Sequence, residues 1–218
     1  MRCRILRIAN GGACSSSSAG LGDRCFKENM CLGIPQYGMI DTLTKDQSMS
    51  EKYSSPFIIE RSFAASRALV YAALTQAGHL GRWMAPAGME ITQCTVDATP
   101  GGVFHYAMKA RGFAAAPALW GKWTFRELVA PERVVVVAQF SDAAGGITRH
   151  PLAAQWPLLT LSTTTLHEIA GGTLMRVQWC ALDANAAEEA IFDASHAAMT
   201  MGWTATMDGL DAYLQQQK

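Results

Sequence analysis

The sequence predicts an α+β domain in which an antiparallel seven-stranded sheet wraps around one long C-terminal helix, and three observations carry that expectation. Residues 186–216 contain no proline, and Phe192, Met199, Trp203, Met207, Leu210 and Leu214 follow at steps of three, four or seven, which keeps them on one helical face. Residues 57–182 carry short runs of period two, punctuated by Pro100-Gly101-Gly102, Ala130-Pro131-Glu132, Gly145-Gly146 and Gly171-Gly172. A helix about 45 Å long at 1.5 Å per residue cannot bury its apolar stripe on itself. The preceding strands supply the surface it needs.

In chain order, 57–63 reads as a strand, and Ser66 as the cap of a short helix over 67–74. Thr75 is the expected cap of a second short helix ending near Trp83-Met84, where Pro86 and Gly88 stop it. Strands follow at 90–96, 103–109, 119–128, 134–140, 158–167 and 173–182. Asn185 opens the last helix, with Glu188 placed to complete a capping box. Alternation puts Phe104, Tyr106 and Met108 on the face toward the helix, with Leu119, Trp123, Phe125, Met175, Val177 and Trp179. Lys122, Arg126, Arg176 and Gln178 alternate with them on the outer, wet face.

Residues 1–55 differ in kind. They hold four of the six cysteines (Cys3, Cys14, Cys25, Cys31), the Ser15 to Ser18 tract and no sustained period. This reads as a disordered leader, or as an upstream extension of a chain whose start is Met49, ahead of a folded domain over 56–218. No Cys-x-x-Cys pair occurs in it, so no metal site is expected. Its apolar start is broken by Arg7 and Asn10, which argues against an export signal and for a cytoplasmic protein. In a reducing compartment Cys94 and Cys180 are expected to be buried free thiols.

Of the 218 residues, 50% are hydrophobic and 17% charged, and eighteen basic groups balance eighteen acidic ones without a basic block. The electrostatic footprint of a nucleic-acid binder is absent, and no eighteen-residue apolar run suggests a membrane span. Isolated Gly-Gly pairs make neither a phosphate loop nor a dinucleotide fingerprint, so no cofactor is expected. Ser162 to Thr165 lack a nucleophile elbow and read as ordinary strand residues.

Glu189, Asp193 and His196 fall at steps of four and three, a spacing that suits a metal or an acid–base pair. The simpler reading is a solvated ion-pair face, favoured by the helix dipole. Gly202 and Gly209 each cost up to about 1 kcal/mol in a helix. They imply either a close approach of the helix to its surroundings or a hinge. Phe104, Tyr106, Met108, Trp123, Trp179, Met199, Trp203 and Met207 either fill a core or wall an apolar cavity between sheet and helix.

Three segments carry a family resemblance: 75–83 (TQAGHLGRW), 121–134 (GKWTFRELVAPERV) and, in the last helix, Phe192 to His196 with Gly202-Trp203-Thr204 and the closing 210–214. Over residues 57–218 the chain resembles the START-like, birch-pollen-allergen-like superfamily, in its bacterial branch related to the C-terminal domain of the activator of the heat-shock protein ninety ATPase. The resemblance implies a helix-grip fold and a retained cavity. Trp83 and Phe125 complete the candidate ligand-binding set. The resemblance implies a small apolar or amphipathic ligand and a stress-related setting. The alternatives it implies are regulation of a heat-shock chaperone through a surface, or a cyclase or hydrolase that uses the same cavity, with Tyr106 as its main titratable group. Ala77, Gly78 and Met84 depart from the common pattern of that branch, and reshape the expected cavity mouth.

Overall fold

The computed structural model describes residues 4–5, 55–113 and 115–217. The expected leader, with its cysteines and Met49, lies outside the described residues apart from Arg4–Ile5. In order the elements are β1 (Arg4–Ile5), β2 (Phe57–Phe63), α1 (Arg67–Thr75), α2 (Ala77–Trp83), β3 (Met89–Val96), β4 (Val103–Ala110) and β5 (Leu119–Val129). They continue with β6 (Arg133–Ser141), β7 (Ile147–Thr148), β8 (Leu159–Ile169), β9 (Gly172–Leu182), α3 (Ala186–Ala194) and α4 (His196–Gln215). The seven expected strands are the seven long ones; β1 and β7 are two-residue additions.

The sheet runs β1-β3-β4-β5-β6-β8-β9-β2, with β7 on β6. Every pairing is antiparallel except β1 with β3. From β3 to β9 the long strands are joined as a meander, whereas β2 lies at the far edge beside β9. The chain must therefore pass from β2 across the sheet to β3, and α1 and α2 make that passage. They fill one end of the wedge under α4. Here Val70, Leu80 and Trp83 meet Phe63, Phe125, Met175 and Val177 from the sheet and Met207, Leu210 and Leu214 from α4. Burying each such side chain contributes about 1.5–3 kcal/mol. His79 Nδ1 and the Tyr213 hydroxyl, 2.6 Å apart, tie α2 to α4.

The caps explain the helix starts and two departures from expectation. Ser66 Oγ accepts from Leu69 N–H at 3.3 Å, as expected. Thr75 is not a cap: it is the last residue of α1, and its hydroxyl donates to Tyr71 O at 2.9 Å. Gln76, extended at φ −100° and ψ 135°, takes the cap position of α2 without a side-chain bond. Asn185 and Glu188 form the expected capping box. The single long helix, however, is two, broken at Ser195. Ser195 Oγ donates back to Ile191 O at 2.7 Å, and its N–H reaches Phe192 O and Asp193 O instead of continuing the ladder. A hydroxyl competing for a helical carbonyl bends a helix in this way.

Cys180 is the buried free thiol expected, and burial raises its pKa. Cys94 corrects the expectation: it is disulfide-bonded, on the half-buried face of β3 near the sheet edge. No helix of the described residues is long and apolar enough to cross a membrane.

Candidate functional site

At the end of the wedge away from α1, the inner face of the sheet and the first half of α4 do not meet. A cavity of about 350 Å³ separates them, within the range of small-molecule sites. Strands β4, β5, β6, β8 and β9 form its floor, α4 its roof, and the α2–β3 connection one side of its mouth. The segment 149–158 between β7 and β8 forms the other side.

Of the ten candidate residues, Trp83, Tyr106, Met108, Trp123, Trp179, Met199 and Trp203 border the cavity. Phe104, Phe125 and Met207 do not. They are fully buried in the core beside it, where α1 and α2 reach the same inward face. Sequence reasoning missed Trp120, Phe140, His150 and Trp156. The last two sit in the segment 149–158, which has no period to place them, and Trp120 alternates onto the outward register of β5.

Tyr106 is the most constrained polar group. Its ring stacks on Phe104 at 4.6 Å between centroids and lies across Gly121, where an added Cβ would come within 2.5 Å of the hydroxyl. Only glycine leaves that seat open. The side chain is 8% exposed, and no hydrogen bond to its hydroxyl occurs among the described residues. Burial pushes its pKa up to about 12. At neutral pH the phenol keeps its proton, so it can donate a hydrogen bond but cannot serve as a base. Trp179 Nε1 and Gln139 Nε2, on two further bordering residues, are also buried without a partner.

The segment 149–158 is a strap fastened at both ends. Arg149 pairs with Glu188 at the start of α3 and donates to Trp156 O at 3.2 Å. Glu188 is 7% exposed, and the Arg149 guanidinium, helped by Asn185 N–H, holds its carboxyl below the usual range against the opposing effect of burial. Trp156 packs against Phe192 at 5.5 Å and Trp179 at 6.0 Å, while His150 meets Phe140 at 4.5 Å. Leu152 N–H donates to His150 Nδ1 at 3.0 Å, which leaves the ring proton on Nε2. Burial lowers the His150 pKa, partly offset by its own carbonyl.

Gly202 borders the mouth, and a Cβ there would meet nothing within 4 Å, so α4 does not approach the sheet at this point. The close approach is at Gly209, where a Cβ would lie 3.3 Å from Trp83 O. Asp193 and His196 come within 3.9 Å as an i,i+3 pair, with the His196 ring packed between Phe57 and Phe192, but Glu189 does not complete a cluster of three with them. Among the described residues no acidic, histidine or cysteine group is placed to hold a metal.

The family model of activator of Hsp90 ATPase homolog 1-like proteins matches residues 64–215, from the end of β2 to the end of α4. The chain belongs to this family. No curated protein matches it. Among solved structures similar to this member of the family, a protein of Chromobacterium violaceum is 22% identical with a TM-score of 0.55, covering 73% of this chain and 96% of its own. A protein of Rhodobacter sphaeroides is 19% identical with a TM-score of 0.59, covering 75% and 94%. A protein of Silicibacter pomeroyi, itself described as belonging to this family, is 16% identical with a TM-score of 0.58, covering 75% and 100%. At these identities the likeness is one of fold, the α+β helix-grip arrangement with its long C-terminal helix.

Proposed function

We propose that the domain is a binding module that encloses a small apolar or amphipathic molecule between sheet and C-terminal helix. The observation that carries this reading is the 350 Å³ cavity bordered by seven of the candidate residues. A fold driven only to bury apolar surface closes such a gap, because interiors pack to crystal-like density. Here Gly121 gives Tyr106 its seat in the floor, and Gly202 leaves the roof without a side chain at the mouth. The neutral phenol of Tyr106, to which no carboxylate or imidazole of the described residues is bonded, supports binding over turnover.

The test is native mass spectrometry of the full chain purified from its host, followed by organic extraction. A stoichiometric small molecule released on denaturation supports the reading. An empty protein whose cavity residues tolerate bulky substitution without loss of stability defeats it. A stress-related role and stimulation of a heat-shock chaperone ATPase rest on the family's description alone. An unchanged ATPase rate on adding this protein to the host chaperone removes the second. Residence in the cytoplasm belongs to the same proposal; the disulfide at Cys94 pulls the other way.

A further inference from the structure

Taking the binding-module reading as its basis, we infer that the enclosed molecule is flat, uncharged and conjugated, and carries an oxygen that accepts a hydrogen bond from Tyr106. Every tryptophan in the chain, six in all, borders this one cavity. Two are committed elsewhere: Trp83 Nε1 donates to Ala73 O at 2.9 Å, and Trp120 stacks on His105 at 4.9 Å. The other four, Trp123, Trp156, Trp179 and Trp203, surround the void, with Trp179 edge-on to Trp203 at 6.0 Å. A saturated chain would gain only buried area there. A flat conjugated ring gains stacking and edge-to-face contact in addition.

None of the bordering side chains is an acidic, lysine or arginine residue. An ion entering would lose its water with no counter-charge in return. Of the polar side chains on the lining, Thr160 and Thr206 donate to the backbone carbonyls of Ala138 and Gly202, and Ser162 and His150 are neutral. The Trp179 indole N–H is a buried donor without a partner, and no hydrogen bond to the Tyr106 hydroxyl occurs among the described residues. An unmet buried donor is costly, and that cost disappears when a ligand carbonyl arrives. Gly121 and Phe104 hold the phenol in a single position, so little side-chain freedom is lost in forming that bond. A carbonyl on a flat ring system satisfies both demands.

The experiment uses three probes of similar size with the full chain emptied of any co-purified molecule: 9-fluorenone, fluorene, which lacks the oxygen, and cyclododecanone, which lacks the flat rings. Calorimetric titration is repeated with Tyr106→Phe, which removes only an oxygen that has no hydrogen-bond partner among the described residues, so the fold persists. The expected result is that fluorenone binds tightest, that Tyr106→Phe weakens it about tenfold, and that fluorene binds both proteins equally. Cyclododecanone binding as tightly as fluorenone overturns this inference while leaving the binding-module reading standing. A fluorenone affinity unmoved by Tyr106→Phe overturns the anchor. Failure of all three probes to bind overturns both the inference and the reading beneath it.

Discussion

The two ends of the wedge under α4 are built from the same kinds of residue and come out differently. At one end Phe104, Phe125, Met207 and Leu210 are fully buried, because α1 and α2 cross there and fill the space. At the other, Trp123, Trp179, Met199 and Trp203 face a void, because only the strap 149–158 covers them. The contrast teaches that an inward-facing aromatic is a core residue or a binding residue according to what lies on its other side.

The largest difference is expected from truncation. Leu210→Ala should cost about 2–5 kcal/mol, since the closed end cannot collapse onto a missing side chain. Met199→Ala should cost clearly less, because one side of Met199 already faces the cavity. Urea midpoints compare the two, and equal losses would mean that the open end is packed as tightly as the closed one.

Gly121→Ala should destabilise by about 1–3 kcal/mol, because the new methyl must push Tyr106 off its seat. Thermal denaturation reads the loss, and an unchanged melting point would show that the phenol has another place to go. Gly202→Leu sharpens the contrast in the opposite direction. It should stabilise α4 by up to about 1 kcal/mol while its side chain enters the mouth, so melting temperature rises as affinity for fluorenone falls. A rise in both would remove Gly202 from the site.

Arg149→Ala leaves the buried Glu188 carboxylate without its cation, so it should destabilise by about 1–3 kcal/mol and release the strap from α3. Hydrogen exchange at Ala153 and Trp156, whose amides donate within the strap, should quicken while β6 stays protected. The smallest effect is that of pH. His150 has a lowered pKa in the fold, so the unfolded chain takes up its proton first as pH falls through about 6.5. Stability is therefore highest above that value and declines as pH drops toward the folded pKa. Replacing His150 with glutamine should flatten that slope below about pH 6.5.

The legible part of the molecule follows from local rules. Period two exposed β4, β5 and β9 with their inward faces, and the capping box at Asn185 marked the start of α3 to the residue. The break at Ser195 was hidden because the apolar stripe continues through it. What splits the helix is a side-chain hydroxyl choosing Ile191 O, a competition that periodicity does not register. Thr75 misled for a related reason: a threonine at a helix boundary can bond backward as readily as forward.

Within the site, the strand and helix residues were found and the strap was not. Trp156 finds its ring neighbours across the chain in Trp179 and Phe192, and His150 finds its own in Phe140, and nothing in a loop's composition indicates which surface it will cover. The sequence by itself determined the elements, their buried faces and the helix-grip family, because those depend on spacing along one chain. The tertiary structure alone decided which half of the aromatic stripe stays open, since that depends on where the β2-to-β3 crossing runs and on whether Gly121 and Gly202 face a neighbour or a void.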